Sequence, residues 1–200
     1  MNVFKKQKQY KELDTITFGM VTDAINSVNI VDDKMQQFEN DNPAVTAALV
    51  LIPGYALGHF LIMFIDSYMQ HELGDVSNAS QDTFMQTADE KFTRAILNYL
   101  VYEKHTSQED AASNTKSILG LAHNLYSRVA TEAYEKNEDI IVCMKRIAPN
   151  ILLDDVINNF AGVERGSPEA TAISNIATSL TEILSRRYKN VWLFNLQKNL

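Results

Sequence analysis

The sequence is poor in the residues that interrupt helices or cross-link chains. Its 200 residues include one cysteine, four prolines and seven glycines. A single cysteine excludes an internal disulfide and a cysteine-based zinc site. Because a sheet-rich protein needs many turns, the scarcity of glycine and proline favours helices. We therefore expect a helical chain whose core forms without covalent cross-links.

The sequence also lacks the short motifs that carry well-known chemistry. It contains no GxSxG, no P-loop and no GxGxxG, so the local signatures of hydrolases, nucleoside triphosphatases and Rossmann enzymes are absent. The spacing of the four histidines fits neither a two-histidine zinc site nor the Glu-x-x-His pattern of di-iron bundles. We expect no enzyme activity, no cofactor and no metal, although a site assembled from distant residues leaves no local pattern.

Charge is distributed unevenly around a net formal value of -7. The first eleven residues carry four lysines and no acidic residue, while the remaining 14 basic and 25 acidic side chains give -11. An acidic body repels phosphate backbones, which argues against nucleic-acid binding. We expect 1–11 to be a frayed basic terminus, with contact to an anionic surface as the alternative. This stretch lacks the apolar region that a secretory signal contains. We therefore expect a cytoplasmic location.

Apolar residues recur at three- and four-residue spacing along most of the chain, which predicts amphipathic helices. Thr106 with Glu109 matches a capping box, and Ser167-Pro168 resembles a helix start. The first predicted helices cover 13–28 and 82–104, and a third runs from Thr106 to near Asn137. A short helix then stops before Pro149, and another stops at Gly162. A last long helix begins after Ser167. We predict one all-α domain over 1–200, an orthogonal bundle of about seven to nine helices.

The longest apolar segment without a formal charge, 43–65, has 23 residues. At about 1.5 Å per residue it is long enough to cross a bilayer. However, the acidic flanks Asp41 and Asp66 offer no Lys or Arg to set a topology, and His59 would lie in hydrocarbon. Amphipathic helices around it need a central element to bury against. We therefore favour a core role and keep membrane insertion as the alternative.

A proline and two glycines interrupt this run. Pro53 lacks an N–H and disfavours helix at the residue before it, so we predict a central helix pair, or one sharply kinked helix, broken at Pro53-Gly54. A hairpin with strands near 45–52 and 59–66 is the rival, although Ala, Leu and Met favour helix. Gly54 and Gly58 form a GxxxG spacing that could let another helix approach closely, a pair that is also common by chance.

His59 is the titratable residue with the clearest functional potential. On a continuous helix His59 and Asp66 would share roughly one face, and a buried histidine near a carboxylate can act as a base, a pH switch or part of a metal site. The alternative is a histidine satisfied by a backbone carbonyl near Pro53, because nothing nearby supplies a nucleophile or an anion cradle. Cys143 lies in an apolar run and is predicted to be a core residue.

The C-terminal stretch combines the single tryptophan with other aromatic, apolar and basic side chains. Trp, Phe and Arg are favoured at protein interfaces. The candidate partner-binding residues are Arg186, Arg187, Trp192, Phe194 and Leu196. The alternative is that this cluster closes the core.

Together these features favour a non-enzymatic protein-interaction module: a small acidic helical adaptor, chaperone or assembly subunit, for example of a secretion machine. The stretches 44–69 and 191–196 hold more apolar surface than one small core requires, and a partner helix in a groove is the expected mode of recognition. Two alternatives stay open. The chain could be a membrane-active or membrane-inserted protein using 43–65, or a helical ligand-binding or metal-binding protein around His59 and Asp66.

Overall fold

The structure is a computed structural model that describes residues 15–29, 43–74, 78–159 and 163–199. All regular structure within these ranges is helical, which confirms the all-α class. A helical segment at 15–29 is followed by α1 (Pro43–Met69), α2 (Asn78–Asn98), α3 (Gln108–Lys136), α4 (Ile140–Asn159), α5 (Pro168–Arg187) and α6 (Leu193–Asn199). Two π-helical turns, Tyr99–Glu103 and Tyr188–Trp192, continue α2 and α5. The count of seven to nine helices and the orthogonal arrangement stay predictions, and 1–11 and Gly162 lie outside the described residues.

Helix α1 is continuous over 27 residues and passes through Pro53. The predicted break into a helix pair at Pro53-Gly54 is therefore wrong, and the rival hairpin is wrong as well. A proline inside a helix costs one backbone hydrogen bond and about 3 kcal/mol. Every residue from Leu51 to Phe64 is buried, and each large apolar side chain contributes about 1.5–3 kcal/mol on burial. Tertiary burial therefore outweighs the local cost of the proline.

Helix α4 shows the same outcome at a second proline. We predicted one helix that stops before Pro149 and another after it, but a single helix covers Ile140–Asn159. Cys143 and Leu152, on either side of the proline, are both fully buried. Packing on both sides holds the helix together through the missing hydrogen bond.

Side-chain caps set the ends of the longer helices. Ser107 caps α3, because its Oγ accepts a hydrogen bond from the backbone N–H of Asp110 at 3.1 Å. The predicted cap at Thr106 is therefore wrong by one residue. The predicted end near Asn137 is confirmed, and Asn137 takes the left-handed conformation common at helix ends. The predicted cap at Ser167 is confirmed for α5.

Helix α1 lies at the centre and contacts α3, α4 and α5. Its closest approach is to α3: a Cβ added to Gly54 would lie 2.2 Å from the carbonyl oxygen of Ile118. A Cβ added to Gly58 would lie 2.8 Å from Cδ2 of Leu125. Because only glycine leaves room for this approach, the GxxxG spacing marks a real contact between helices.

One stretch of α1, Val50–Met69, is long and apolar enough to span a membrane by length and composition. Within the fold, 89% of its apolar window is buried against other parts of the chain. The same length and composition are found in the core helices of globular domains. The burial of Val50–Met69 is what the core interpretation of this segment predicts.

Candidate functional site

A buried cluster of three polar side chains joins α1 to α5. Tyr55 and His59 lie one turn apart on α1, and Thr181 reaches them from α5. The Oγ1 of Thr181 lies 2.8 Å from Nε2 of His59 and 2.9 Å from the hydroxyl of Tyr55. Tyr55 and His59 have no exposed surface, and Thr181 is 2% exposed. The cluster is an internal hydrogen-bond network, and solvent does not reach it.

The acceptor groups determine the direction of these hydrogen bonds. Nδ1 of His59 lies 2.7 Å from the carbonyl oxygen of Tyr55. Because a carbonyl only accepts, Nδ1 carries the proton and Nε2 of the neutral ring is an acceptor. The Thr181 hydroxyl is the group that can donate to Nε2, but it also lies 2.9 Å from the Ala177 carbonyl and has one proton for these two acceptors. The Tyr55 hydroxyl donates in turn to Thr181, or to the carbonyl of Ala177 at 3.3 Å.

Burial keeps this cluster uncharged near neutral pH. It lowers the pKa of His59 to about 4, while the hydrogen bond to the Tyr55 carbonyl acts in the opposite direction. Burial also raises the pKa of the Tyr55 hydroxyl far above its ordinary value. Protonation of His59 would place a charge in the core, and neither of its hydrogen-bond partners is an acidic side chain. Burial therefore favours the neutral imidazole.

Asp66, the predicted functional partner of His59, has a different environment. Both ring nitrogens of His59 already hold hydrogen bonds, so a carboxylate or a metal ion would have to displace one of them. Asp66 is half-buried near the end of α1, where burial raises its pKa and the charges of Asp139 and Glu72 raise it further. The structure does not join His59 to Asp66 by a hydrogen bond, and a joint function of the two stays a prediction.

The sequence interpretation missed Tyr55 and Thr181 as partners of His59. Tyr55 and His59 are four residues apart, and that spacing was a usable signal on a helix. Thr181 lies 122 residues further along the chain. No local pattern indicates a contact at that separation, so only the tertiary structure identifies Thr181.

Two of the C-terminal candidate residues hold the helical segment 15–29. Nε of Arg187 donates to Oδ2 of Asp23 at 2.8 Å, and the indole N–H of Trp192 donates to the same oxygen at 3.0 Å. The Trp192 ring also lies against Gly19, where an added Cβ would be 2.4 Å from a ring carbon. Arg187 and Trp192 therefore have a partner within the chain.

The other three C-terminal candidates differ in exposure. Leu196 is fully buried, whereas Phe194 is 64% exposed. Arg186 is exposed and lies 3.8 Å from Glu182, one turn earlier on α5. A partner protein could contact Phe194 and Arg186 directly, but Leu196 only after α6 had moved.

A cavity of about 180 Å³ lies beside Pro53, where α1, α2 and α3 meet. Its walls are mostly apolar and include Val28, Pro53, Ile96, Leu100 and Ile118. Its polar side is formed by Lys104, Thr106 and Asn114. Lys104 is exposed while the apolar walls are buried, so the cavity opens on its polar side.

The contacts between helices show which helix ends lie together. Gly54 faces Ile118 and Gly58 faces Leu125, so α1 and α3 run in the same direction. The end of α1 therefore lies near the end of α3, and the charge of Asp139 acts on Asp66 across this end. Helix α6 joins the same end, because the side chain of Gln197 donates to the Glu72 carbonyl at 3.0 Å.

Large apolar side chains are exposed at this end of the bundle. They come from the last turn of α1, the junction of α3 with α4, and α6. The four residues are Met69, Tyr134, Val142 and Phe194, between 54% and 88% exposed. We refer to these four side chains as the apolar end.

No group of His, Cys, Asp or Glu side chains within the described ranges is placed to hold a metal ion. Comparisons with known protein families, with curated proteins and with solved structures give no match to this chain. A function is therefore inferred from the geometry of the chain itself.

Proposed function

We propose that this protein is a non-enzymatic interaction module that binds another protein through its apolar end. The observation that carries this proposal is that Met69, Tyr134, Val142 and Phe194 are each more than half exposed and belong to segments that meet at one end of the bundle. Single exposed apolar residues are common, but a group of them typically marks a binding surface. Met69 and Phe194 belong to the stretches 44–69 and 191–196 in which we expected such surface from the sequence, whereas Leu51 to Phe64 are buried.

Acidic groups beside the apolar end indicate the chemistry of the partner. Glu72 and Asp139 are close enough to Asp66 to raise its pKa, and the nearby Lys189 offsets part of this effect. A partner that places basic residues next to apolar ones would relieve this repulsion, and an amphipathic basic helix has that arrangement. A second copy of this chain is disfavoured, because each copy carries a formal charge of -7.

The test compares variants at the two ends of the bundle. Met69→Ser combined with Tyr134→Ser removes two apolar anchors, whereas Tyr102→Ser removes another exposed tyrosine (74%) from the π-helical turn Tyr99–Glu103, at the opposite end of the bundle. Tagged full-length chains capture partners from cells of the source organism, with cross-linking and mass spectrometry. We expect the double variant to lose at least roughly tenfold in binding, the Tyr102→Ser variant to bind normally, and salt to weaken the complex.

Three results would overturn the proposal. One is capture that is equal for both variants and independent of salt. The second is a dimer in sedimentation experiments that the double variant abolishes, which would make a second copy the occupant. The third is stable flotation with liposomes and protease protection of 43–65, which would favour the membrane alternative.

A further inference from the structure

The cavity beside Pro53 is bordered by two local features that are costly for a helix. Pro53 withholds a backbone donor from α1, at a cost of about 3 kcal/mol. Another part of the wall comes from the π-helical turn Tyr99–Glu103, which adds a residue to the helix, and Lys104 N–H donates to the Tyr99 carbonyl at 3.1 Å. Single π-helical turns occur frequently at functional sites. Pro53 and the turn Tyr99–Glu103 both border this cavity, which points to a cavity whose shape serves a function.

The size of the cavity limits what it can hold. Its volume of about 180 Å³ is well below that of pockets for drug-sized ligands, which is roughly 300–1,000 Å³. It is close to an apolar cavity of roughly 150 Å³ that takes up benzene. A ligand of about six to eight non-hydrogen atoms therefore fits, and its buried part must be apolar because Ile96, Leu100 and Ile118 surround it.

The open side of the cavity has a different chemistry. Lys104 is the charged side chain among its lining residues, and its Nζ lies 5.6 Å from the centre of the Tyr99 ring. Asn114 and Thr106 add hydrogen-bonding groups beside it. An anionic group at the mouth would therefore meet one cation and neutral hydrogen-bonding side chains.

We propose that this cavity binds a small amphipathic carboxylate, with its hydrocarbon part between α1, α2 and α3 and its carboxylate at Lys104. The cavity lies near the start of α3, whereas the apolar end lies at its far end, so this site is independent of the proposed partner surface. Small ligands of this size bind weakly, and we expect a Kd on the order of 1 mM.

The experiment uses three probes that share a six-carbon chain and differ in charge: hexanoate, 1-hexanol and hexylamine. Ligand-detected NMR titrations of the full chain measure the Kd of each. We expect hexanoate to bind roughly three- to fivefold more tightly than hexanol, and hexylamine to bind most weakly. Lys104→Met should remove this order without abolishing hexanol binding. Lys116→Met, which removes an exposed lysine from α3, should preserve the order.

A variant that fills the cavity tests the location. Val28→Phe adds a ring to the cavity wall and should abolish saturable binding of all three probes, and Leu100→Phe does the same if the first variant does not fold. Circular dichroism confirms the fold of each variant. The proposal is overturned if no probe saturates, if the folded filling variant still binds, or if Lys104→Met leaves the order of the probes unchanged.

Discussion

The two faces of α1 hold their neighbours by opposite means. Toward α3, Gly54 and Gly58 present no side chains, and the helices approach until an added Cβ would collide. Toward α5, the large side chains of Tyr55 and His59 fill the space and form hydrogen bonds with Thr181. One face is therefore sensitive to added atoms, and the other is sensitive to lost hydrogen bonds. A helix with uniformly apolar composition can contain two different kinds of interface.

The largest expected effect comes from Gly54→Ala. The new Cβ would meet the backbone oxygen of Ile118 at 2.2 Å, and a backbone atom cannot move aside as a side chain can. We expect a loss of about 3 kcal/mol in the free energy of unfolding, measured by chemical denaturation. Gly120→Ala is the matched control, because a Cβ added there would meet no neighbouring group within 4 Å. It should stabilise the protein by roughly 0.5–1 kcal/mol. Equal effects of the two substitutions would contradict the close contact of α1 with α3.

The second effect is acid destabilisation through the α5 face. The pKa of His59 is about 4 in the folded protein, below the ordinary value of about 6.5, so the unfolded chain takes up a proton first as the pH falls. The stability from this residue is complete above about pH 6.5 and is lost between there and about pH 4. At pH 5 the loss relative to pH 7 should be about 2 kcal/mol.

Denaturation at several pH values measures this effect, and His59→Gln should flatten the dependence. The exposed residue His105 provides the control variant His105→Asn, which should keep the dependence of the original chain. Asp66 and Asp155, whose pKa values are raised by burial, act in the opposite direction in all these chains and cancel in the comparison. An unchanged slope in His59→Gln would show that another group controls the acid response.

Thr181→Val should have a smaller effect on the same face. Valine keeps the shape of threonine but leaves Nε2 of His59 without a donor, while the Tyr55 hydroxyl can still reach the Ala177 carbonyl. We expect a loss of about 1.5 kcal/mol in the free energy of unfolding. The exposed hydroxyl of Thr178 on the same helix bonds to the Ser174 carbonyl, and Thr178→Val should cost less than about 0.5 kcal/mol. If the two variants were equally stable, the buried network would contribute nothing.

The smallest effect is expected for Gly58→Ala. Its new Cβ would meet Cδ2 of Leu125 at 2.8 Å, and this atom lies at the end of a flexible side chain that can rotate. The carbonyl oxygen of Ala122 lies at 3.1 Å, so some strain remains. We expect a loss of about 1 kcal/mol in thermal or chemical unfolding. A loss larger than that of Gly54→Ala would reverse the order that the two distances predict.

Sequence patterns predicted those features of the fold that depend on a few neighbouring residues. The cap at Ser167 and the end of α3 at Asn137 follow from local hydrogen bonds, and periodicity predicted which stretches are helical. Pro53 and Pro149 were misinterpreted for the opposite reason. The cost of a proline is local and can be read from the sequence, whereas the burial that offsets this cost depends on residues far away in the chain.

The candidate site was predictable only in part. His59 was identified from its position in an apolar run, but its partner Thr181 is 122 residues away. Trp192 and Arg187 were predicted by residue type to bind a partner protein, which stays a prediction, and within the chain they form hydrogen bonds with Asp23. Residue type indicates the capacity to bind, but only the fold shows whether the partner is internal.

The contact between Asp23 and Arg187 has a consequence for synthesis of the protein. The two residues are 164 positions apart. At roughly 5–20 residues per second, a ribosome adds Arg187 about 8 to 30 seconds after Asp23. Through that interval the segment 15–29 has no Trp192 or Arg187 to dock against. Its docking therefore waits until Arg187 and Trp192 have been added, and a chain truncated before Arg187 would leave the helical segment 15–29 without these contacts.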